Sequence, residues 1–369
     1  MSNSIIKIDL KTLERFMNDV FKGLGVPPED AAVCSEVLIA ADRRGIDSHG
    51  INRLKPIYYD RIKAGIQLPV TDFTVVRDSA ATAVVDGGNG MGQVVGRRSM
   101  EMAIEKARKY GLGMVAVRNS THYGIAGYYA LMAAAEGMIG FTGTNARPSI
   151  APTFGIENML GTNPLTFAMP TDEAFPFCID CATSITQRGK VEVYAREDKE
   201  MPAGWVIRSD GTAGTNPKLT LRELIEGKAA LAPLGGIGED LGGYKGYGYA
   251  VVTEILSAAL QGGMFLKALS GFDADGNKVP YRLGHFFMAI DISHFTDVSA
   301  FKKTTGDILR SLRASKKMPG AERIYTAGEK EYEAEQDRIA NGVPVEPSLQ
   351  KEIKAMEQEL GITGYSFPF

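Results

Sequence analysis

Residues 82–110 read TAVVDGGNGMGQVVGRRSMEMAIEKARKY, and the fold class turns on this stretch. The apolar run Ala83, Val84, Val85 has strand character, Gly90, Gly92 and Gly96 mark a turn, and Val94 to Tyr110 has helical spacing. Met114 to Val117 follows as another strand. Glycines between a strand and a helix let backbone approach a pyrophosphate at a helix N-terminus. The spacing here is G-x-G-x-x-x-G, not the dinucleotide fingerprint G-x-G-x-x-G, and the next strand, GMVAVRNS, carries no acid for a ribose. The turn therefore reads as a glycine-rich strand-to-helix corner in a mixed α/β region.

Outward from this unit the chain divides by pattern. Toward the N-terminus, Leu10, Leu13, Phe16, Met17, Val20 and Phe21 recur at helical spacing. A second helix opens at Pro27 and Pro28 and ends near Gly45, and a third is expected from Asn52 to Lys63. Toward the C-terminus, strands are expected at Phe73–Val76, Met138–Thr142, Leu165–Met169 and His285–Ile290. Helices are expected at Gly127–Glu136, Tyr249–Gln261 and Thr296–Arg313. The tail from Glu329 is charged helix broken by Pro344 and Pro347. The expected class is α/β (α+β). Residues 1–70 form a helical domain with 316–369 packing back on it, since chain termini are often close, and 71–315 form an α/β cofactor-binding domain.

Composition narrows the function. The 369 residues are 44% hydrophobic and 23% charged, within the globular range. A net charge of −3 argues against nucleic acid as a partner. No apolar run reaches the ~20 residues of a membrane span, and MSNSIIKIDLKTLERF lacks the apolar core of a signal peptide, so a cytoplasmic protein is expected. Three cysteines are too few for a disulfide framework. Cys178 and Cys181 form a CxxC, but in an extended chain positions three apart face opposite ways, which suits neither a redox pair nor a shared metal. No histidine–carboxylate spacing typical of a metal site occurs, so no catalytic metal is expected.

Several polar clusters could carry chemistry. Arg44-Gly-Ile-Asp47-Ser48-His49-Gly50-Ile-Asn-Arg53 places an imidazole beside guanidinium groups suited to a carboxylate. That combination is what oxidation of a 2-hydroxy acid needs, although an Asp-Ser helix cap with a structural histidine fits the same residues equally well. Asn119-Ser120-Thr121-His122-Tyr123-Gly124 is a second histidine turn, which reads equally as ligand-binding or as surface. Lys245, in the glycine-rich stretch Gly235–Gly248 before a helix, is a candidate anion ligand. His285 and His294 flank a strand and read as structural.

Taken together, Ser48-His49-Gly50 with Arg53, Asn119-Ser120-x-His122-Tyr123-Gly124, Gly161-Thr162-Asn163-Pro164, Asp180-x-Ala182-Thr183-Ser184 and Gly243-Tyr244-Lys245-Gly246 resemble the malate/L-lactate dehydrogenase family. The resemblance spans nearly the whole chain. It implies a non-Rossmann nucleotide domain, NAD or NADP as cofactor, a small 2-hydroxy or 2-keto acid as substrate and a homodimer. Malate/oxaloacetate or lactate/pyruvate is the leading substrate pair, and ureidoglycolate, sulfolactate, diketogulonate or cyclic imino acids are the alternatives. It also implies roles. His49 is the acid/base, oriented by Ser48, and Arg53 with Thr162 or Asn163 binds substrate. His122, Tyr123 and Gly124 line the cofactor site, joined by Asp180, Cys181, Ala182, Thr183 and Ser184. Asp180 alternatively supports His49. Lys245 reaches a cofactor phosphate, and Gly328-Glu329 stands where the family often has Pro-Gly-Glu beside the nucleotide. Arg147, Arg188 and Lys190 are candidates for a 2′-phosphate, and Arg44 or Arg147 for a second substrate carboxylate. A cofactor-free lyase or isomerase using His49, and a non-catalytic binding protein, are the competing classes.

Overall fold

A computed structural model describes residues 4–369. The quoted stretch forms strand Thr82–Asp86, helix Gly92–Tyr110 and strand Leu112–Ser120, with the two strands parallel and adjacent. These belong to a seven-stranded sheet in the order Thr74–Asp78, Thr82–Asp86, Leu112–Ser120, Leu283–Asp291, Met138–Thr144, Leu165–Met169, Phe177–Cys181. All the other neighbouring pairs in this sheet are antiparallel. A doubly wound dinucleotide fold needs a run of parallel strands, so the mixed sheet agrees with the failed fingerprint. The glycines of the turn serve packing. A Cβ at Gly92 would collide with the backbone carbonyls of Thr121 and His122, so the helix can start against that loop only with glycine there.

Both chain ends share one core. Helix Leu10–Gly23 is capped by Asp9, whose side chain accepts from the Thr12 N–H, and it buries Leu13, Phe16, Met17, Val20 and Phe21. These meet Val343, Val345, Leu349, Ile353 and Met356 from the C-terminal tail. Complete burial of one such side chain contributes roughly 1.5–3 kcal/mol, so this shared core ties residues hundreds of positions apart. Strand Ile6–Ile8 pairs antiparallel with Val343–Val345 to close the seam. A second core lies under the sheet, where Val85, Val95, Met100, Ala103, Val115, Val117 and Phe287 pack. A third surrounds Ile150, Val206, Leu231 and Ala250.

Two expectations are corrected. The segment expected as one helix from Asn52 to Lys63 winds in three ways: a 3₁₀ turn Ile51–Arg53, a π-helical stretch Leu54–Tyr59 and a short α-helix Asp60–Lys63. Pro56 lies inside the π stretch and has no N–H for a regular ladder. The helix expected from Tyr249 starts at Gly243, so the end of the glycine-rich stretch is already its first turn. Strand Thr74–Asp78 is exposed along its whole length because it is a sheet edge. Among the described residues, no helix is long and apolar enough to cross a membrane.

Candidate active site

His49 sits in the turn between helix Pro28–Arg43 and the 3₁₀ turn Ile51–Arg53. Its Nδ1 lies 2.9 Å from Ser48 Oγ. Arg53 Nε donates to the Ser48 carbonyl at 2.5 Å, and Arg53 has no ion-pair partner among the described residues. The turn is pinned from below by Asp42, whose carboxyl is completely buried and accepts from the Ile51 N–H at 2.8 Å. Outside, Asp47 pairs with Arg338 at 2.8 Å, tying the turn to the C-terminal helix Glu329–Asn341. The imidazole keeps an edge open to a cleft, but lost hydration, reinforced by the Arg53 charge, lowers its pKa to about 4. His49 is therefore a neutral base near pH 7.

A second imidazole faces it. The His122 and His49 rings lie 5.8 Å apart, nearly parallel at 18°. Burial pushes His122 well below the usual histidine range, with repulsion from His49, Arg61 and Arg53 adding to it. Its Nδ1 is 2.7 Å from the Tyr58 hydroxyl.

The cleft is a cavity of about 250 Å³ lined by Ser48, His49, Gly124, Thr162, Asp180 and Ala182, together with Ile46, Gln187 and Glu331. The sequence motifs thus converge from four regions: the His49 turn, the start of helix Ala126–Ala135, the turn Thr162–Pro164 before strand Leu165–Met169, and the edge strand Phe177–Cys181 with the residues after it. Asp180 accepts from the Gly127 N–H at 2.6 Å and from the Thr166 hydroxyl at 2.9 Å. Burial still raises its pKa above the ordinary carboxyl value. Of the two partners considered for His49, Ser48 is the one in contact; both Asp180 oxygens are held by Gly127 and Thr166. Glu331 and Gln187 were missed in the sequence, because neither stands in a motif.

Other motif residues lie outside the lining of this cavity. Tyr123 is in the core, stacked on His285 at 4.4 Å and on Tyr129 at 4.9 Å, so it lines no open site. Asn163 is fully buried; its amide donates to the Ala250 carbonyl and to Glu254, and its carbonyl accepts from Ala146, so it builds the turn rather than binding substrate. Glu329 is bound to Thr326 and paired with Arg313 and Arg323, away from the cavity. Gly328 precedes that helix, where the neighbouring Ala327 carbonyl accepts from Cys178 N–H. Thr183 donates to the Thr162 and Asn163 carbonyls, and Cys181 is exposed at the sheet edge while Cys178 is buried, the opposite-facing arrangement expected of a strand. Lys245 is exposed at the start of helix Gly243–Ala258. His285 is buried in the central strand, bonded through Nδ1 to Thr144. Its pKa is lowered by burial to about 3.

A nicotinamide nucleotide fits the surroundings of this cavity. Ser184 bridges to Pro233, and Leu234 N–H donates to the Thr183 carbonyl, so the glycine-rich turn lies directly beside the end of the strand that lines the cavity. At this seam the Ser184 hydroxyl is buried without a partner, as a site for a polar ligand group requires. Lys245 and the N–H groups of a helix start supply positive potential further along the same turn.

The buried titrating groups set an acid limit. His49 and His285 have folded values of about 4 and about 3 against 6.5 when free, and His122 shifts the same way. On acidification the unfolded chain takes up protons near pH 6.5 that the fold refuses, so stability present above pH 6.5 is lost as pH falls toward 4. Asp42 acts oppositely: its folded value of about 8 against 3.8 means its contribution is lost as pH rises from about 4 to 8. Asp180, also raised by burial, acts in the same sense as Asp42; the three histidines outweigh the two acids, and thermal melts should show a lower Tm at pH 5 than at pH 7. An equal or higher Tm at pH 5 would contradict these assignments.

Comparison with known proteins places this geometry. A family model described as malate/L-lactate dehydrogenase matches residues 8–354. The chain is 43% identical to malate dehydrogenase of Pyrococcus horikoshii, covering 99% of this chain and 98% of that one. It is 37% identical to L-sulfolactate dehydrogenase of Methanocaldococcus jannaschii, covering 95% and 96%. The crystal structure of malate dehydrogenase from Entamoeba histolytica superposes with a TM-score of 0.93 at 45% identity, covering 99% of this chain and 100% of that one.

Proposed function

The chain belongs to the malate/L-lactate dehydrogenase family, and on that premise we propose that it is a nicotinamide-dependent oxidoreductase interconverting malate and oxaloacetate. The observation that carries this reading is His49: a neutral imidazole, open to the cavity, oriented by Ser48 and flanked by an Arg53 without an ion-pair partner among the described residues. With Ser48 accepting from Nδ1–H, His49 Nε2 holds the lone pair that takes the proton of the substrate hydroxyl. Arg53 presents a planar fork to the substrate carboxylate, and Thr162 offers a hydroxyl from the opposite wall. When bound, the nicotinamide ring accepts the hydride in oxidation and donates it in reduction. In reduction, protonated His49 returns its proton to the keto oxygen. Gly124, Asp180, Ala182 and Ser184 would hold the cofactor, and Lys245 would meet its phosphate.

The test is a panel of malate, lactate, sulfolactate and ureidoglycolate, each with NAD and NADP, read by nicotinamide absorbance. Malate should be oxidised fastest. Absence of any hydroxy-acid activity with either cofactor would overturn the reading. Strong use of NADP would point to Arg147 and Arg188, which line one surface cavity. Arg53→Lys should raise the malate KM by at least about tenfold, because a point charge cannot replace a bidentate fork; an unchanged KM would remove Arg53 from substrate binding. The reading includes a homodimer, supported by the exposed apolar residues Val252, Ile255 and Phe265 beside one groove and testable by light scattering. It also places the enzyme in the cytoplasm, in keeping with three free cysteines.

A further inference from the structure

We propose that Tyr58 is a positioning residue of this active site: together with the Gly124 N–H, its hydroxyl holds His122 as the tautomer protonated on Nε2, so the imidazole facing His49 is a fixed hydrogen-bond donor. The inference rests on the hydroxy-acid dehydrogenase reading for its consequence in turnover, but not for the tautomer itself.

Two contacts determine the tautomer. Gly124 N–H donates to His122 Nδ1 at 3.3 Å, and a backbone N–H can only donate. Nδ1 must therefore carry the lone pair. The Tyr58 hydroxyl lies 2.7 Å from the same nitrogen. Burial pushes the Tyr58 phenol far above its ordinary range, so its proton stays on oxygen and needs an acceptor, which Nδ1 provides. Imidazolium does not fit, because a protonated Nδ1 would face the Gly124 N–H, which can only donate, and burial in any case pushes the ring well below the usual histidine range. The one ring proton is on Nε2, and that nitrogen has no hydrogen-bond partner among the described residues.

The backbone explains why a tyrosine can reach this position. In the π-wound stretch Leu54–Tyr59 the consecutive residues Tyr58 and Tyr59 are both buried but serve different neighbours. Tyr59 donates to Glu359 at 2.6 Å, toward the last helix, Pro347–Leu360. Tyr58 points to His122, with its ring edge-on to Phe21 at 5.8 Å. Wide turns of this kind recur at functional sites. Here the turn converts a core aromatic into a donor aimed at the site, so that His122 cannot exchange roles with His49 as the acid/base group.

Tyr58→Phe tests this while keeping the buried ring. Nitrogen NMR of histidine-labelled wild type at pH 7, assigned by comparison with His122→Gln, should show His122 with a bare Nδ1 and a protonated Nε2. In Tyr58→Phe that pattern should become a mixture, and kcat with malate should fall about tenfold, the scale of one lost hydrogen bond, with cofactor KM unchanged. In a His122→Gln background, Tyr58→Phe should leave the residual kcat unchanged, because the two act as one unit. A wild-type spectrum with Nδ1 protonated, or a Tyr58→Phe protein with wild-type spectrum and wild-type kcat, would overturn the proposal. If wild type oxidises no hydroxy acid, the functional reading fails and the spectra alone decide Tyr58.

Discussion

His49→Ala should lower turnover with malate by roughly 10²–10⁴-fold, the range spanned by a positioned proton transfer, while fluorescence titration with the reduced cofactor gives an affinity near wild type. The size follows from the absence of a substitute. His122 Nδ1 is occupied by the Tyr58 hydroxyl and the Gly124 N–H, so His122 can donate but not accept. Asp180 is held by Gly127 and Thr166 and so cannot swing to the substrate without losing both bonds. Only His49 combines a free nitrogen with an opening to the cavity and a value that leaves it neutral. Removal of the ring should leave the fold intact, since its contacts lie on one side of a cleft. A mutant with wild-type turnover would transfer the base to another group.

Gly50→Ala should be almost as damaging, by a different route. A Cβ at this position would fall inside the Asp42 carboxyl, which has no solvent to retreat into. Either the carboxyl leaves the Ile51 N–H, exposing a buried donor and acceptor, or the turn carrying Ser48 and His49 lifts away. Overpacking and a broken buried hydrogen bond together cost about 3 kcal/mol or more. The expected protein has a clearly lower Tm and little activity. Asp42→Ala in the same chain makes room and should restore part of the Tm. It should not restore turnover, because nothing then holds the start of the Ile51–Arg53 turn. A Gly50→Ala enzyme with normal Tm and kcat would show that Asp42 is not the rigid floor of the site.

The residues around position 49 left an acid/base cluster and a helix cap with a structural histidine equally open, and the family resemblance carried by five ordered motifs favoured the first. The failed glycine fingerprint left the turn as a glycine-rich strand-to-helix corner, and the sheet around it is mixed, with the quoted unit as its parallel pair. The motifs were less reliable about individual roles. Tyr123 and Asn163 belong to motifs that reach the cavity through Gly124 and Thr162, yet they themselves point inward. Glu329 was named because Gly328-Glu329 stands where the family often has Pro-Gly-Glu, but the helix start turns Glu329 onto Arg313 and Arg323 and presents Glu331 to the cleft. Asp42 and Tyr58 fell within expected helices and carried no signal of their own.

The amino-acid order alone was sufficient for the class of fold, the run of helices and strands, and the kind of reaction, because periodicity and short motifs are written in neighbouring residues. Tertiary structure alone chose which side chains face the cleft. Orientation of a side chain depends on what packs behind it, and here the packing partners lie far away in sequence: His122 on Tyr58, Asp180 on Gly127, Arg338 on Asp47. No local pattern encodes such meetings, so burial, hydrogen bonding and charge sorted the site only once the chain was folded.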